Sequence, residues 1–205
     1  MEAYRTWLAG ELEAIVAHDG PVDLVGHDWG GNHVLNLAMT RPDLLRSWVS
    51  DTLGAFAPDY VWHELAQEWQ TPGAGEAAVA ARFGPDRDVD AGVHGLVRRG
   101  LPEGVARTVV AGQDEALGRA VLALYRDAVQ PRMAELGEGL PVAAQRPGLA
   151  VLATADVVVD TDAQRRAAAE RTGARVAVLE GLDHWWPAQD PERAARVLVD
   201  FWASV

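Results

Sequence analysis

A chain of 205 residues is long enough for one domain with a substantial core and too short for two of ordinary size. Its composition, 49% hydrophobic and 23% charged, is that of a soluble globular protein, and the absence of cysteine excludes disulfides, thiolate nucleophiles and cysteine metal sites. A formal net charge of −12 argues against nucleic acid and anionic membranes as partners, because both require a basic face.

The first segment predicts an amphipathic helix over residues 2–18, since four apolar side chains recur in it at helical spacing. These side chains are Tyr4, Leu8, Leu12 and Ile15. The segment has neither the basic nor the apolar block of a signal peptide, and no apolar run approaches the ~20 residues of a membrane span. A cytoplasmic location is therefore expected.

Strands and helices then alternate. The stretch "PVDLVGHD" (21–28) is short and β-branched and predicts a buried strand. "NHVLNLAMTRPDLL" (32–45) predicts a helix, and "RSWVSDTL" (46–53) predicts a second strand.

The C-terminal part repeats this alternation. Two more strands are predicted in "LAVLATAD" (149–156) and "RVAVLEGL" (175–182), and the segment between them predicts a surface helix with Asp162 as N-cap and Gly173 as C-cap. Asp190 and the proline after it open a final helix. One apolar face of that helix is formed by Ala194, Leu198 and Phe201.

This order of elements predicts an α/β fold with a mostly parallel sheet of about four strands. Residues 58–147 offer helices and loops but no strand, so they are predicted to be a helical cap inserted into the core. The core would then consist of residues 1–57 and 148–205. The cap is expected over the carboxyl ends of the strands, where ligands bind in open α/β sheets.

A glycine-rich corner stands between the first strand and the second helix. Its sequence, Gly26-His27-Asp28-Trp29-Gly30, has the form of a nucleophile elbow, which exposes its central side chain at a helix N-terminus. The flanking glycines are expected because side chains there would clash with the strand and the helix. Asp28, at the centre, is already ionised and needs no base to activate it. The alternative to a nucleophile is that Asp28 is only a turn residue, since aspartate favours turns.

The stretch "GHDWGG" resembles the nucleophile elbow of α/β-hydrolases, in the branch of epoxide hydrolases and haloalkane dehalogenases. The resemblance extends from residue 2 to residue 203 and includes two cap-like segments, "WQTPGAGE" and "LYRDA". It implies a triad in the chain order nucleophile, acid and histidine, which Asp28, Asp156 and His184 supply. Asp51 is the alternative acid, because some members of the branch carry the acid after the second of these strands.

The resemblance also implies the chemistry. Asp28 would form an alkyl-enzyme ester, and His184 would activate the water that hydrolyses it. The Trp29 N–H would hold the oxyanion, and Tyr125 matches one of the two cap tyrosines that protonate an epoxide oxygen. The second tyrosine position falls near Leu65, with Tyr60 as a possible substitute.

Epoxide hydrolysis is favoured on these grounds, and haloalkane dehalogenation is the alternative. The Trp29 indole could bind a halide, but dehalogenases more often have glutamine where this chain has His27. The expected substrate is small and largely apolar, because the predicted pocket is rich in tryptophan. The residues predicted to line this pocket are His27, Trp62, Trp69 and Trp185. No cofactor is expected, and no metal, because the histidines lack ligand spacing.

In this family three or four strands, and a loop with the second oxyanion donor, precede the helix that opens this sequence. The chain is therefore expected to be a fragment or a shortened variant whose exposed sheet edge is covered by another subunit, as in a homodimer. A third interpretation is a non-catalytic or partner-dependent relative that keeps the elbow without turnover.

Overall fold

The computed structural model describes all residues from 1 to 205. The strands are β1 (Val22–Val25), β2 (Leu45–Ser50), β3 (Gly148–Ala153) and β4 (Arg175–Leu179). The helices are α1 (Glu2–Asp19), α2 (Trp29–Thr40), α3 (Glu64–Gln70), α4 (Ala74–Phe83), α5 (Val89–Arg98), α6 (Glu103–Ala111), α7 (Glu115–Asp127), α8 (Arg132–Leu136), α9 (Asp162–Thr172), α10 (Trp186–Gln189) and α11 (Pro191–Trp202).

The four strands form one parallel sheet in the order β1-β2-β3-β4. Every residue of β3 is buried, as expected for a central strand covered on both faces. β1 and β4 lie at the edges, and Val25 of β1 is exposed. The predicted α/β fold with four parallel strands is confirmed.

The sheet has an apolar core on each face. The larger one packs α1, α2 and α9 against the sheet, and it includes Leu35 and Leu152. The smaller one packs α10 and α11 on the opposite face around Leu179 and Phe201. The predicted apolar face of the last helix is confirmed, since Ala194 and Phe201 are buried and Leu198 packs against them.

Two details of the helices differ from the prediction. Ile15 of α1 is 45% exposed, because the buried side of that helix runs through Ala9 and Leu12 instead. The N-cap of α9 is Thr161, whose hydroxyl accepts from the Gln164 N–H, so the assignment of Asp162 as N-cap was wrong by one residue. Gly173 is the C-cap in the left-handed conformation, as predicted.

The helices within residues 58–147, the predicted cap, pack in two sets. Helices α3, α4 and α7 pack on one another, and α5 packs on α6, whereas α8 and the 3-10 segment Gly137–Gln145 return to the core. That segment packs against α2 and α9, and its Ala143 carbonyl accepts from the buried Trp48 indole. We refer to α3 to α7 as the cap. None of the helices is both long and apolar enough to span a membrane.

Candidate active site

The corner between β1 and α2 has a strained backbone at its central residue. Asp28 has φ 53° and ψ −125°, and it is the one non-glycine residue with a positive φ. Such a conformation costs about 1–3 kcal/mol and persists only where the surroundings impose it. Here the end of β2 imposes it, because the Asp28 N–H donates to Asp51 Oδ1 (3.0 Å) and the Asp28 carbonyl accepts from the Thr52 hydroxyl (2.8 Å).

The glycines of the corner differ in what they make room for. A Cβ on Gly26 would lie 2.2 Å from the carbonyl oxygen of Gly30, and one on Gly31 would lie 2.8 Å from the hydroxyls of Ser50 and Thr52. A Cβ on Gly30 would meet nothing within 4 Å. The expectation that both flanking glycines avoid a clash was therefore wrong for Gly30. The tight approach on the helix side is at Gly31.

We expect Gly26→Ala to lower the free energy of unfolding by about 1–3 kcal/mol, because the added methyl group overlaps a backbone carbonyl that cannot move freely. Gly30→Ala is the matched control. It should leave stability unchanged or raise it by up to about 1 kcal/mol, because alanine favours the helix and the space is open. Urea denaturation of both variants measures the difference, and equal losses would show that the corner is not held by this contact.

Three loops bring the predicted nucleophile, acid and histidine together. Asp156 follows β3, and His184 lies in the turn between β4 and α10. His184 Nδ1 lies 3.1 Å from Asp156 Oδ2, which is hydrogen-bond distance, and its Nε2 lies 3.9 Å from Asp28 Oδ2. The imidazole therefore lies between the two carboxylates, with Nδ1 facing Asp156 and Nε2 facing Asp28.

Asp51, the alternative acid, has other partners. Its Oδ2 lies 2.5 Å from His27 Nδ1 and accepts from the Trp186 indole (2.8 Å), while its Oδ1 accepts from the Asp28 N–H. The structure pairs Asp51 with His27 and not with His184. The rings of His27 and His184 are nevertheless neighbours, with centroids 5.0 Å apart.

The charges of the site shift the pKa of each group. Burial raises the pKa of Asp28, although His184 and His27 oppose the shift. For His184 burial favours the neutral ring, but the Asp156 hydrogen bond and the Asp28 carboxylate outweigh it and raise the pKa. For Asp156 burial is likewise outweighed by the His184 hydrogen bond, and the pKa is lowered. Asp156 thus stays ionised beside His184.

A cavity of about 470 Å³ lies between the cap and this corner. Asp28 and His184 line it from the core side, and 40% of the Asp28 side chain is accessible. Aromatic side chains form much of its wall, and several are in contact, such as Trp29 with Trp62 (centroids 5.5 Å apart) and with Tyr125 (5.1 Å). The aromatic residues of the wall are Trp29, Tyr60, Trp62, Trp69, Tyr125 and Trp185.

Of the residues predicted to line the pocket, only His27 does not. It lies behind His184, where it contacts Asp51 and the Trp185 and Trp186 rings. The Trp29 N–H, predicted as oxyanion donor, is the first of α2, where the helix offers it no acceptor.

The sequence model of the alpha/beta hydrolase family matches residues 2–197. The chain belongs to the alpha/beta hydrolase family. No curated protein matches its sequence.

Solved structures of other hydrolases share the fold. An E-2-(acetamidomethylene)succinate hydrolase is 21% identical with a TM-score of 0.72, covering 98% of this chain and 72% of its own. A loop variant of the haloalkane dehalogenase DbeA from Bradyrhizobium elkanii is 20% identical with a TM-score of 0.64, covering 98% and 74%. An enol-lactonase from Burkholderia xenovorans is 19% identical with a TM-score of 0.62, covering 97% and 73%.

This hydrolase holds its Asp156 loop with a buried arginine that the sequence did not single out. Arg165 of α9 is 1% exposed, forms an ion pair with Asp160, lies 3.5 Å from Asp156 Oδ2 and donates to the Ala153 carbonyl. Asp160 also accepts from the Gly54 N–H (2.5 Å), which ties the loop to the segment after β2. Asp160, which lies between Asp156 and the N-terminus of α9, is thus the ion-pair partner of this arginine.

Several polar residues of the cavity were also missed. The sequence predicted no role for His63. In the structure it caps α3 through Nδ1, which accepts from the Ala66 N–H. Burial, Arg99 and His184 lower its pKa, so it is neutral at pH 7. The other polar residues of the wall that the sequence did not single out are Asn32, Glu64, Arg82, Arg99 and Gln113.

Proposed function

We propose that this hydrolase cleaves a bond to an sp³ carbon through an alkyl ester of Asp28, and that its substrate is an epoxide, hydrolysed to a diol. The observation that carries the proposal is a carboxylate at the strained centre of the elbow, with His184 Nε2 3.9 Å away and a cavity in front of both. A serine at this position would suit esters. A carboxylate that attacks an ester forms only an anhydride, whereas one that attacks an sp³ carbon forms a stable ester.

The proposed reaction has two steps. In the first, an Asp28 oxygen bonds to an epoxide carbon, the carbon–oxygen bond of the ring breaks, and the ring oxygen takes a proton from a donor in the cavity. In the second, His184 Nε2 takes a proton from water, and the hydroxide attacks the ester carbonyl of Asp28. The bond between the Asp28 carbonyl carbon and the alkyl oxygen then breaks, that oxygen takes the proton from His184, and the diol leaves. Asp28 keeps one oxygen from water, and the second water proton returns to the donor of the first step. The Trp29 N–H is the proposed donor to the oxyanion of this step.

The proton donor of the first step supports an epoxide. Tyr125 and Tyr60 both line the cavity, and burial together with nearby carboxylates raises the pKa of each. Each phenol is therefore protonated at neutral pH and able to donate to the ring oxygen. Tyr60 thus fits the role of second tyrosine that Leu65 cannot fill.

Dehalogenation is the second candidate, and one observation favours it. Trp29, directly after Asp28, stacks against Trp62 and lines the cavity. An indole N–H in that position suits a leaving halide ion. A halide needs no proton, so this reaction would leave the tyrosines without a chemical role.

Trapping the ester tests the proposal. Formation of the ester does not require His184 and its hydrolysis does, so His184→Gln incubated with epoxides and haloalkanes should accumulate an adduct on Asp28. Intact-mass and peptide-mass spectrometry measure it, and a gain equal to the whole epoxide is the expected result. Asp28→Asn, which has the same shape, is the matched control and should acquire no adduct.

The other outcomes decide between the alternatives. A mass gain equal to the alkyl group of a haloalkane, minus the one hydrogen that it replaces, would establish dehalogenation and overturn the epoxide assignment. No adduct from any compound, with the variant shown by circular dichroism to be folded, would overturn the alkyl-ester mechanism. The non-catalytic or partner-dependent interpretation would then stand.

A further inference from the structure

Five arginines of the cap form no salt bridge, and three of these, Arg82, Arg98 and Arg99, lie close together. Arg82 is in the last turn of α4, Arg98 ends α5, and Arg99 follows it. Several arginines elsewhere in the chain pair with carboxylates, as in α6, α7 and α9, and the chain as a whole carries a net charge of −12. Arg82, Arg98 and Arg99 take part in no salt bridge and no side-chain hydrogen bond, so their charges are left without a counter-ion in an acidic protein.

The same three residues surround a recess next to the site. It has a volume of about 380 Å³, is lined by Arg82, Arg98, Arg99 and the α5 residues Ala91, Gly95 and Leu96, and contains no carboxylate. Arg82, Leu96 and Arg99 also line the Asp28 cavity, so the recess adjoins that cavity at these three residues. We refer to this space as the arginine recess.

The charges around the recess favour a bound anion. Arg82 is half-buried, and burial together with Arg99 lowers its pKa. Arg82 and Arg99 also line the Asp28 cavity, so their positive charge extends to it. Arg98 and Arg99 are exposed, whereas Arg82 is partly withdrawn from water beside Arg99. A bound anion would relieve both the repulsion between these like charges and the lost solvation of Arg82.

We infer that the arginine recess binds a carboxylate of the substrate, so that the preferred substrates carry both an apolar body and a carboxylate. The aromatic wall would hold the apolar body against Asp28, and the guanidinium groups of Arg82 and Arg99 would hold the carboxylate through charge-assisted hydrogen bonds. This departs from the expected largely apolar substrate. The identity of the reacting group, an epoxide, rests on the proposed function, whereas the binding of the carboxylate does not.

Binding of unreactive probes tests the inference without turnover. Isothermal titration calorimetry with phenylacetate and with phenylacetamide, its uncharged analogue of the same shape, gives the preference for charge. We expect phenylacetate to bind about 10-fold tighter or more. The preference should disappear in the Arg82→Gln/Arg99→Gln double variant, with circular dichroism to confirm its fold. Arg119→Gln, which removes an exposed charge of α7 outside both spaces, should retain it.

The outcomes separate this inference from the proposed function. Equal binding of the two probes, or an unchanged preference in the double variant, would overturn the recess as a carboxylate site even if neutral epoxides are hydrolysed. Tighter binding of phenyl phosphate than of phenylacetate would overturn the carboxylate in favour of a phosphate. A charge preference without any adduct in the trapping experiment would leave the carboxylate site established and the alkyl-ester mechanism wrong.

Discussion

Asp156→Asn is expected to slow hydrolysis of the alkyl-enzyme ester by about 10⁴-fold, the loss found when the acid of a catalytic triad is replaced by its amide. The Asp156 carboxylate accepts from His184 Nδ1 and so leaves the Nε2 lone pair directed toward Asp28. An asparagine amide can donate to Nδ1 instead, which would put the proton on Nε2 and leave no base for water. Single-turnover measurement of ester decay checks the loss, while the rate of ester formation should change far less.

The pH dependence of the same step gives a second readout. His184 acts as a base only when neutral, so ester decay should fall as the pH drops through its pKa, which the Asp156 hydrogen bond helps to raise. Loss of that carboxylate should lower the pKa and move the acid limb to lower pH. Asp51→Asn is the control, because Asp51 bonds to His27 and the Asp28 N–H but not to His184. If Asp51→Asn abolished ester decay and Asp156→Asn spared it, Asp51 would be the acid.

Arg165→Met is expected to lower the free energy of unfolding by about 3–5 kcal/mol, the cost of removing one partner from a buried ion pair. The substitution would leave Asp160, whose side chain is 0% exposed, as an uncompensated buried charge. It would also remove the donors to the Ala153 and Asp156 carbonyls, which hold the loop after β3. Urea denaturation at neutral pH measures the effect.

Two variants show whether the loss comes from the ion pair. Arg166→Met changes the neighbouring exposed arginine of the same helix and should alter stability by less than about 0.5 kcal/mol. Arg165→Met/Asp160→Asn removes both charges and should recover part of the loss. A double variant as unstable as Arg165→Met would show that packing of the arginine side chain, and not its charge, stabilises the loop.

Local sequence patterns were sufficient to predict the secondary structure of the core. The short β-branched runs predicted all four strands, and the glycine corner predicted a strand–turn–helix elbow with Asp28 at its tip. The resemblance implied Asp156 and His184 as acid and base. Both follow predicted strands, and the carboxyl ends of parallel strands lie at the same side of the sheet, so the two residues meet there.

The missed features depend on contacts between distant segments. In "DAQRRAAAERTG" two adjacent arginines look alike, yet Arg165 is buried and Arg166 is exposed, because only the former faces Asp160. The pairing of His27 with Asp51 joins the end of β1 to the end of β2, and no local spacing predicts it. Arg82 lies in the last turn of α4 and Arg99 follows α5. An arginine at a helix end is usually interpreted as a solvated surface charge. Only the packing of the cap brings these two residues to one cavity.

The position of the cap in the chain separates most of the residues proposed for substrate selection from the residues of the proposed triad. Asp28 precedes the cap and Asp156 and His184 follow it, while Trp69, Tyr125 and the arginine recess belong to the cap itself. The nucleophile, the acid and the histidine of the proposed triad are thus encoded outside one contiguous stretch of the gene. Tyr125 and most of the residues proposed to select the substrate are encoded within it. Mutation or recombination in that stretch that keeps Tyr125 can change which compounds are accepted and leave the reaction intact, a route by which one ancestral chemistry diversifies.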